Sequence, residues 1–198
     1  MRAFVAIDLA EAVRAVLARE QLRLKAACGH TSDIRWTRPE GLHLTLKFLG
    51  EIEAARVASI TAALQALGRF HPFKVEVKGF GYFPEARRPR VLWVGLEAPA
   101  ALAELAWRVQ AALEKLGFAR ENRPFTPHLT LARFDRPHAP PALAAAIDGS
   151  SVDSFGCFEV TEFFLFESRL RPGGPEYFKR ARFPLSSPAG LARAPGPG

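Results

Sequence analysis

The sequence predicts an α+β fold of two pseudo-symmetric lobes, each an antiparallel sheet packed by helices, with a cleft between them. Two observations carry this expectation. Short apolar runs rich in β-branched and aromatic residues alternate with Ala-, Leu-, Arg- and Glu-rich stretches of helical period. The alternation also repeats: FVAIDLAEAV, a helix and HLTLKFLGEI find a counterpart in LWVGLEAPAA, a helix and HLTLARFDRP. The interval is 38 residues from Val5 to His43 and 35 from Trp93 to His128. Two copies at that spacing indicate a duplicated strand–helix–strand unit rather than a short-period solenoid.

Taken in order, RAFVAIDL reads as a buried opening strand, and residues 11–28 as a helix closed by Gly29. Residues 35–41 read as a loop entering the strand 43–48, which Gly50 ends. A second helix spans residues 53–67, closed by Gly68. Strands at 73–78 and 91–96 flank a loop at 79–90 that combines glycines, aromatics and arginines. A third helix, residues 99–116, has Pro99 near its start and Gly117 beyond its end, the usual asymmetry of helix termini. A strand at 127–134, a short helix at 140–147, and strands at 159–167 and 177–183 complete a single domain over residues 1–184. Residues 185–198 are rich in Pro, Gly, Ala and Ser without apolar period, and are expected to form a flexible tail.

Composition excludes several classes. With 48% hydrophobic and 24% charged residues over 198 positions, the chain is neither fibrous nor disordered. Its apolar runs fall short of the roughly 18 residues that a membrane span needs, so no membrane association is expected and the cytoplasm is the default location. Cys28 and Cys157 belong to no Cys/His cluster and cannot build a disulfide framework. The net charge of +7 and a pI near 10.0 come mostly from arginine, whose planar fork suits phosphate and base stacking. A polyanionic partner, nucleic acid foremost, follows from that surface.

The sequence His-Leu-Thr-Leu occurs twice, at His43–Leu46 and His128–Leu131, at corresponding points of the repeat. From 5 His in 198 residues, chance supplies only about 0.2 His-x-Thr matches. On a strand, alternation puts His43 with Thr45, and His128 with Thr130, on one face, while the leucines face the core. Two imidazoles across a cleft suit general acid–base chemistry near neutral pH. Two hydroxyls beside them can donate to non-bridging phosphate oxygens, so the set fits in-line attack on a phosphodiester. No third ligand of zinc spacing accompanies either histidine, and neither a metal nor a cofactor is expected.

These residues resemble the 2H phosphoesterase superfamily, specifically the RNA 2′,3′-cyclic phosphodiesterases once called 2′-5′ RNA ligases. The resemblance extends through RAFVAIDL, HLTLKFLGE, PFTPHLTLAR and ESRLRPGGPEY, which together span the chain to about Phe183. It implies a bilobal fold and metal-independent opening of an RNA terminal 2′,3′-cyclic phosphate to a 2′-phosphate. It further implies catalysis by His43, Thr45, His128 and Thr130; His128 is taken as base toward water and His43 as acid toward the 3′ oxygen, an order that the near-equivalent repeats leave open. Reverse 2′-5′ joining of tRNA halves is an implied side activity, and a monomer the expected state.

Arg133 and Phe48 lie five residues after each motif histidine, and Arg133 belongs to the resembling motif. Plain alternation puts both on the face opposite the histidines, so substrate contact requires a bulge or the strand's end to redirect them. Tyr82 and Arg90, in or beside the aromatic-basic loop, are expected as a base platform and a phosphate contact. Trp93 and Trp107 are expected in the core. Two other readings compete: a non-catalytic module that binds RNA ends, and a cyclic phosphodiesterase acting on small nucleotides. Paired acid and base groups argue against the first; the second uses the same residues.

Overall fold

The computed structural model describes residues 1–29, 33–172 and 174–185. Its elements are β1 (Arg2–Asp8), α1 (Glu11–Cys28), β2 (Ile34–Trp36), a single 3₁₀ turn (Pro39–Gly41), β3 (His43–Glu51), α2 (Arg56–Gln65), β4 (Phe73–Phe83) and β5 (Val91–Glu97). There follow α3 (Ala100–Glu114), β6 (His128–Phe134), α4 (Pro141–Asp148), β7 (Cys157–Val160), β8 (Glu162–Arg171) and β9 (Gly174–Pro184). All strand pairings are antiparallel, in the order β7-β4-β5-β6-β3-β1-β8-β9, with β2 joined to β6.

The two expected lobes are therefore halves of one sheet. They meet where β3 and β6 lie side by side, through the cross-strand pair Leu44↔Leu129. The helices cover one face. Val13, Leu17 and Leu24 of α1 join Ile60 of α2, Leu105, Val109 and Leu113 of α3, and Leu143 of α4 in a continuous core with Val5, Leu44, Leu92 and Leu129. Full burial of such side chains stabilises the fold by about 1.5–3 kcal/mol each. On the other face, Phe4, Ala6, Phe164, Phe166 and Tyr177, all on strands β1, β8 and β9, form a small separate cluster. That face carries the two histidines.

Several element bounds differ from the expectation for definable reasons. Residues 79–83 continue β4 instead of opening a loop, because Gly79 at φ 69° absorbs a register shift between Lys78 and Phe80. Residues 35–36, expected as loop, join Ile34 in β2 and pair with β6. The strand expected at 159–167 is two strands, β7 and β8, which pair with opposite ends of the sheet, and 168–171 extend β8 rather than joining a loop. Leu185, assigned to the tail, is buried and donates its amide to the Thr161 carbonyl at 2.7 Å. The remainder of the expected tail, 186–198, lies outside the described residues.

Candidate active site

His43 and His128 begin β3 and β6, the two central strands, and the leucines that follow them are buried at 1% and 0% exposure. The burial alternates as expected through Thr45 and Thr130, so each imidazole and its threonine face the open side together. Antiparallel neighbours then bring the His-x-Thr pairs side by side across the Leu44↔Leu129 bridge.

The imidazoles are held in the same way. Nδ1 of His43 lies 2.8 Å from the Gly41 carbonyl, and Nδ1 of His128 lies 2.7 Å from that of Thr126. A carbonyl only accepts, so Nδ1 carries the hydrogen and Nε2 of the neutral ring keeps its lone pair. Both acceptors stand two residues before the histidine, a repeat-related device that no sequence motif announces.

Both strands then bulge. In β3, Ala6 pairs with Thr45 and Val5 with Lys47, leaving Leu46 as the extra residue. In β6, Trp93 pairs with Thr130 and Leu92 with Ala132, leaving Leu131 extra. One inserted residue exchanges the faces beyond it. Lys47 and Ala132 therefore turn inward and are buried, with Lys47 Nζ donating to the Ala119 carbonyl. Phe48 and Arg133 turn out to the histidine face. Plain alternation put them behind the sheet; the bulges reverse that. Phe48 is 56% exposed, with its ring 6.2 Å from Phe4. Arg133 lies close enough to depress the basicity of both imidazoles.

Aromatic walls complete each half. His43 stacks on Phe4 at 4.6 Å and meets the edge of Tyr177 at 5.0 Å. His128 meets Phe83 edge-on at 4.9 Å, with Trp93 at 6.1 Å. Of the two tryptophans expected in the core, Trp93 thus lies on the histidine face and Trp107 is 59% exposed. The Trp93 indole lies flat over Gly81, where a Cβ would come within 2.1 Å of the ring; only glycine fits there.

One expected substrate contact is corrected by the same geometry. Because β4 continues through Gly81, Tyr82 points to the helix-covered face, packs on Phe134 at 6.3 Å and buries its hydroxyl. Phe83 takes the place at the site. Arg90, expected as a phosphate contact, is exposed and directs Nη1 to the Asp135 carbonyl at 3.0 Å.

The halves differ electrostatically. The residue opposite His43 is Asp8, whereas Gly95 stands opposite His128. Asp8 pairs with Arg14 and Lys179, both at 2.6 Å, and Arg14 also donates to the carbonyls of Pro39 and Leu42, which bracket Gly41. Burial raises the Asp8 carboxyl, but Lys179 and Arg14 outweigh it and hold it below the ordinary value. A cavity of about 450 Å³ opens here, lined by Asp8, Arg14, His43, Tyr177 and Lys179. Burial pushes His43 down to about 4, opposed by the Gly41 carbonyl and Asp8 and reinforced by Arg14 and Arg133. Burial also lowers His128, opposed by the Thr126 carbonyl and reinforced by Arg133. Both imidazoles are therefore neutral at pH 7 in the free protein. Among the described residues, no three His, Cys, Asp or Glu side chains could hold a metal ion, and no helix is long and apolar enough to cross a membrane.

Two imidazoles on a central strand pair, each with a hydroxyl on the same face and one arginine near both, make up the candidate site. The chain belongs to the LigT-like phosphoesterase family, whose model matches it twice, over residues 7–93 and 94–177. Among curated relatives, the RNA 2′,3′-cyclic phosphodiesterase of Archaeoglobus fulgidus is 39% identical over 89% of this chain and 96% of its own. That of Thermus thermophilus is 35% identical over 100% and 97%. A crystal structure of a T. thermophilus protein superposes with a TM-score of 0.76 at 33% identity, over 93% of this chain and 98% of that one. E. coli LigT complexed with 3′-AMP gives 0.73 at 27%, over 94% and 98%.

Proposed function

We propose that this chain hydrolyses the 2′,3′-cyclic phosphate at RNA ends to a 2′-phosphate without a metal ion. The observation that carries the reading is the matched pair of imidazoles, each fixed through Nδ1 so that Nε2 is free on the open face. Water attacks phosphorus as His128 Nε2 takes its proton; the P–O3′ bond breaks as His43 gives a proton to O3′. Thr45, Thr130 and Arg133 donate to the non-bridging oxygens, where charge builds in the transition state. Burial that lowers His43 makes its imidazolium a strong donor once the anionic substrate has favoured protonation. Phe48, exposed at the end of the bulge, offers a face for a base. A 5′-hydroxyl can replace water as nucleophile, which makes 2′-5′ joining of tRNA halves the reverse of cleavage at the same atoms. One chain supplies both histidines, so a monomer suffices.

The decisive experiment is turnover of an RNA oligonucleotide ending in a 2′,3′-cyclic phosphate, in excess chelator, with the product phosphate mapped. A 2′-phosphate formed at undiminished rate is expected; a 3′-phosphate, or activity restored only by a divalent ion, overturns the mechanism. The pH dependence supplies a second check. Only the singly protonated pair is productive, so kcat/KM against pH is a bell whose limbs belong to the pair. Both groups are lowered in the free protein, so the maximum is expected below pH 6.5. For kcat the bell moves alkaline, because the bound phosphate anion favours the imidazolium. A kcat/KM that only rises between pH 5 and 8 contradicts the scheme.

A further inference from the structure

Beyond the bridge to β3, the free edge of β6 is taken up by β2, in the register Ile34↔Phe134, Arg35↔Arg133 and Trp36↔Ala132. Ile34 is buried and Trp36 packs on the core, so Arg35 points to the opposite face, which Arg133 and the histidines share. Two arginines thus stand directly across an antiparallel pair, with Cβ atoms about 5 Å apart, a placement that like charges disfavour. Asp135, 2.7 Å from Arg35, offsets part of this, while no carboxylate among the described residues pairs with Arg133. Arg133 is accounted for by one terminal phosphate beside the imidazoles. A second guanidinium stands one strand further out, 68% exposed along its side chain. A ligand carrying successive charges engages both.

We propose that Arg35, acting beside Arg133, binds the phosphodiester one nucleotide upstream of the cyclic phosphate, and so gives the site its preference for RNA ends over cyclic mononucleotides. The proposal rests on the reading of the site as one for RNA termini. Arg35 touches neither histidine and takes no part in the bond changes.

The test compares a trinucleotide ending in a 2′,3′-cyclic phosphate with a 2′,3′-cyclic mononucleotide, for the wild-type protein, Arg35→Ala and Arg35→Lys. Loss of one charge-assisted contact should lower kcat/KM of Arg35→Ala on the trinucleotide by about tenfold. The slope of log affinity against log salt should shrink by about 0.7, the value for one phosphate on a single strand. Turnover of the mononucleotide should stay as in the wild type, and Arg35→Lys should keep the salt slope. Equal losses on both substrates, or none on either, overturn the proposal. A wild-type protein that turns over the mononucleotide but no RNA end would overturn the RNA reading itself, and the subsite with it.

Discussion

Alanine at either His43 or His128 should lower the single-turnover rate by about 10²–10⁴-fold, the usual contribution of a positioned acid or base. The double variant should lose far less than the product of the two, because groups acting on one proton inventory are not additive. Affinity for the RNA end should persist, since Thr45, Thr130 and Arg133 occupy other strand positions on the same face. The two sites differ in what the substitution removes besides chemistry. His43 is sandwiched by Phe4 and Tyr177, so His43→Ala also leaves a gap among aromatic rings. His43→Gln fills more of that gap while remaining unable to cycle a proton, and should be inactive with a melting temperature nearer that of the wild type. Rates and affinities for the single and double variants are the measurement. Near-full turnover by either single variant would show that one imidazole suffices.

Arg133→Ala should cost about 10²–10³-fold in kcat/KM, the scale for removing one donor to developing charge. It should also move the pH profile in a fixed direction. The guanidinium disfavours the cationic form of both imidazoles, so removing it raises both and shifts the bell alkaline. Arg133→Lys restores the charge without the planar fork, and should return the bell toward its original position while recovering only part of the rate. A slower variant whose pH profile is unmoved would mean that Arg133 acts by shape alone.

The bulges explain why some of this was legible in the sequence and some was not. His43, Thr45, His128 and Thr130 could be placed on one face because alternation holds over those three-residue spans. The helix over residues 11–28 was legible for the same local reason: period, length and a closing glycine agree. Phe48 and Arg133 lie past Leu46 and Leu131, and nothing in a row of apolar residues marks which one is the insertion. The error at Tyr82 has the same origin. Its face depends on a shift at Gly79 and on β4 running through two glycines, both held by pairing with β5. Phe4, Asp8 and Tyr177 were missed because their closeness to His43 comes from β1 and β9, remote in sequence. Asp8 does stand in the quoted RAFVAIDL, as Tyr177 does in ESRLRPGGPEY, but a shared stretch names no contact.

The strand order has a consequence for how such a molecule could be divided. β4 follows the first His-x-Thr strand in the chain but pairs with β5, in the other half of the sheet; β8, which follows the second, pairs with β1. Each repeat thus lends its later strand to its sibling, as two swapped subunits do. Cut between the repeats, each half would leave a strand whose partner lies in the other piece, so both pieces would be needed to rebuild the sheet and set the two imidazoles side by side. The two pieces would not be interchangeable, because a carboxylate stands opposite one histidine and a glycine opposite the other.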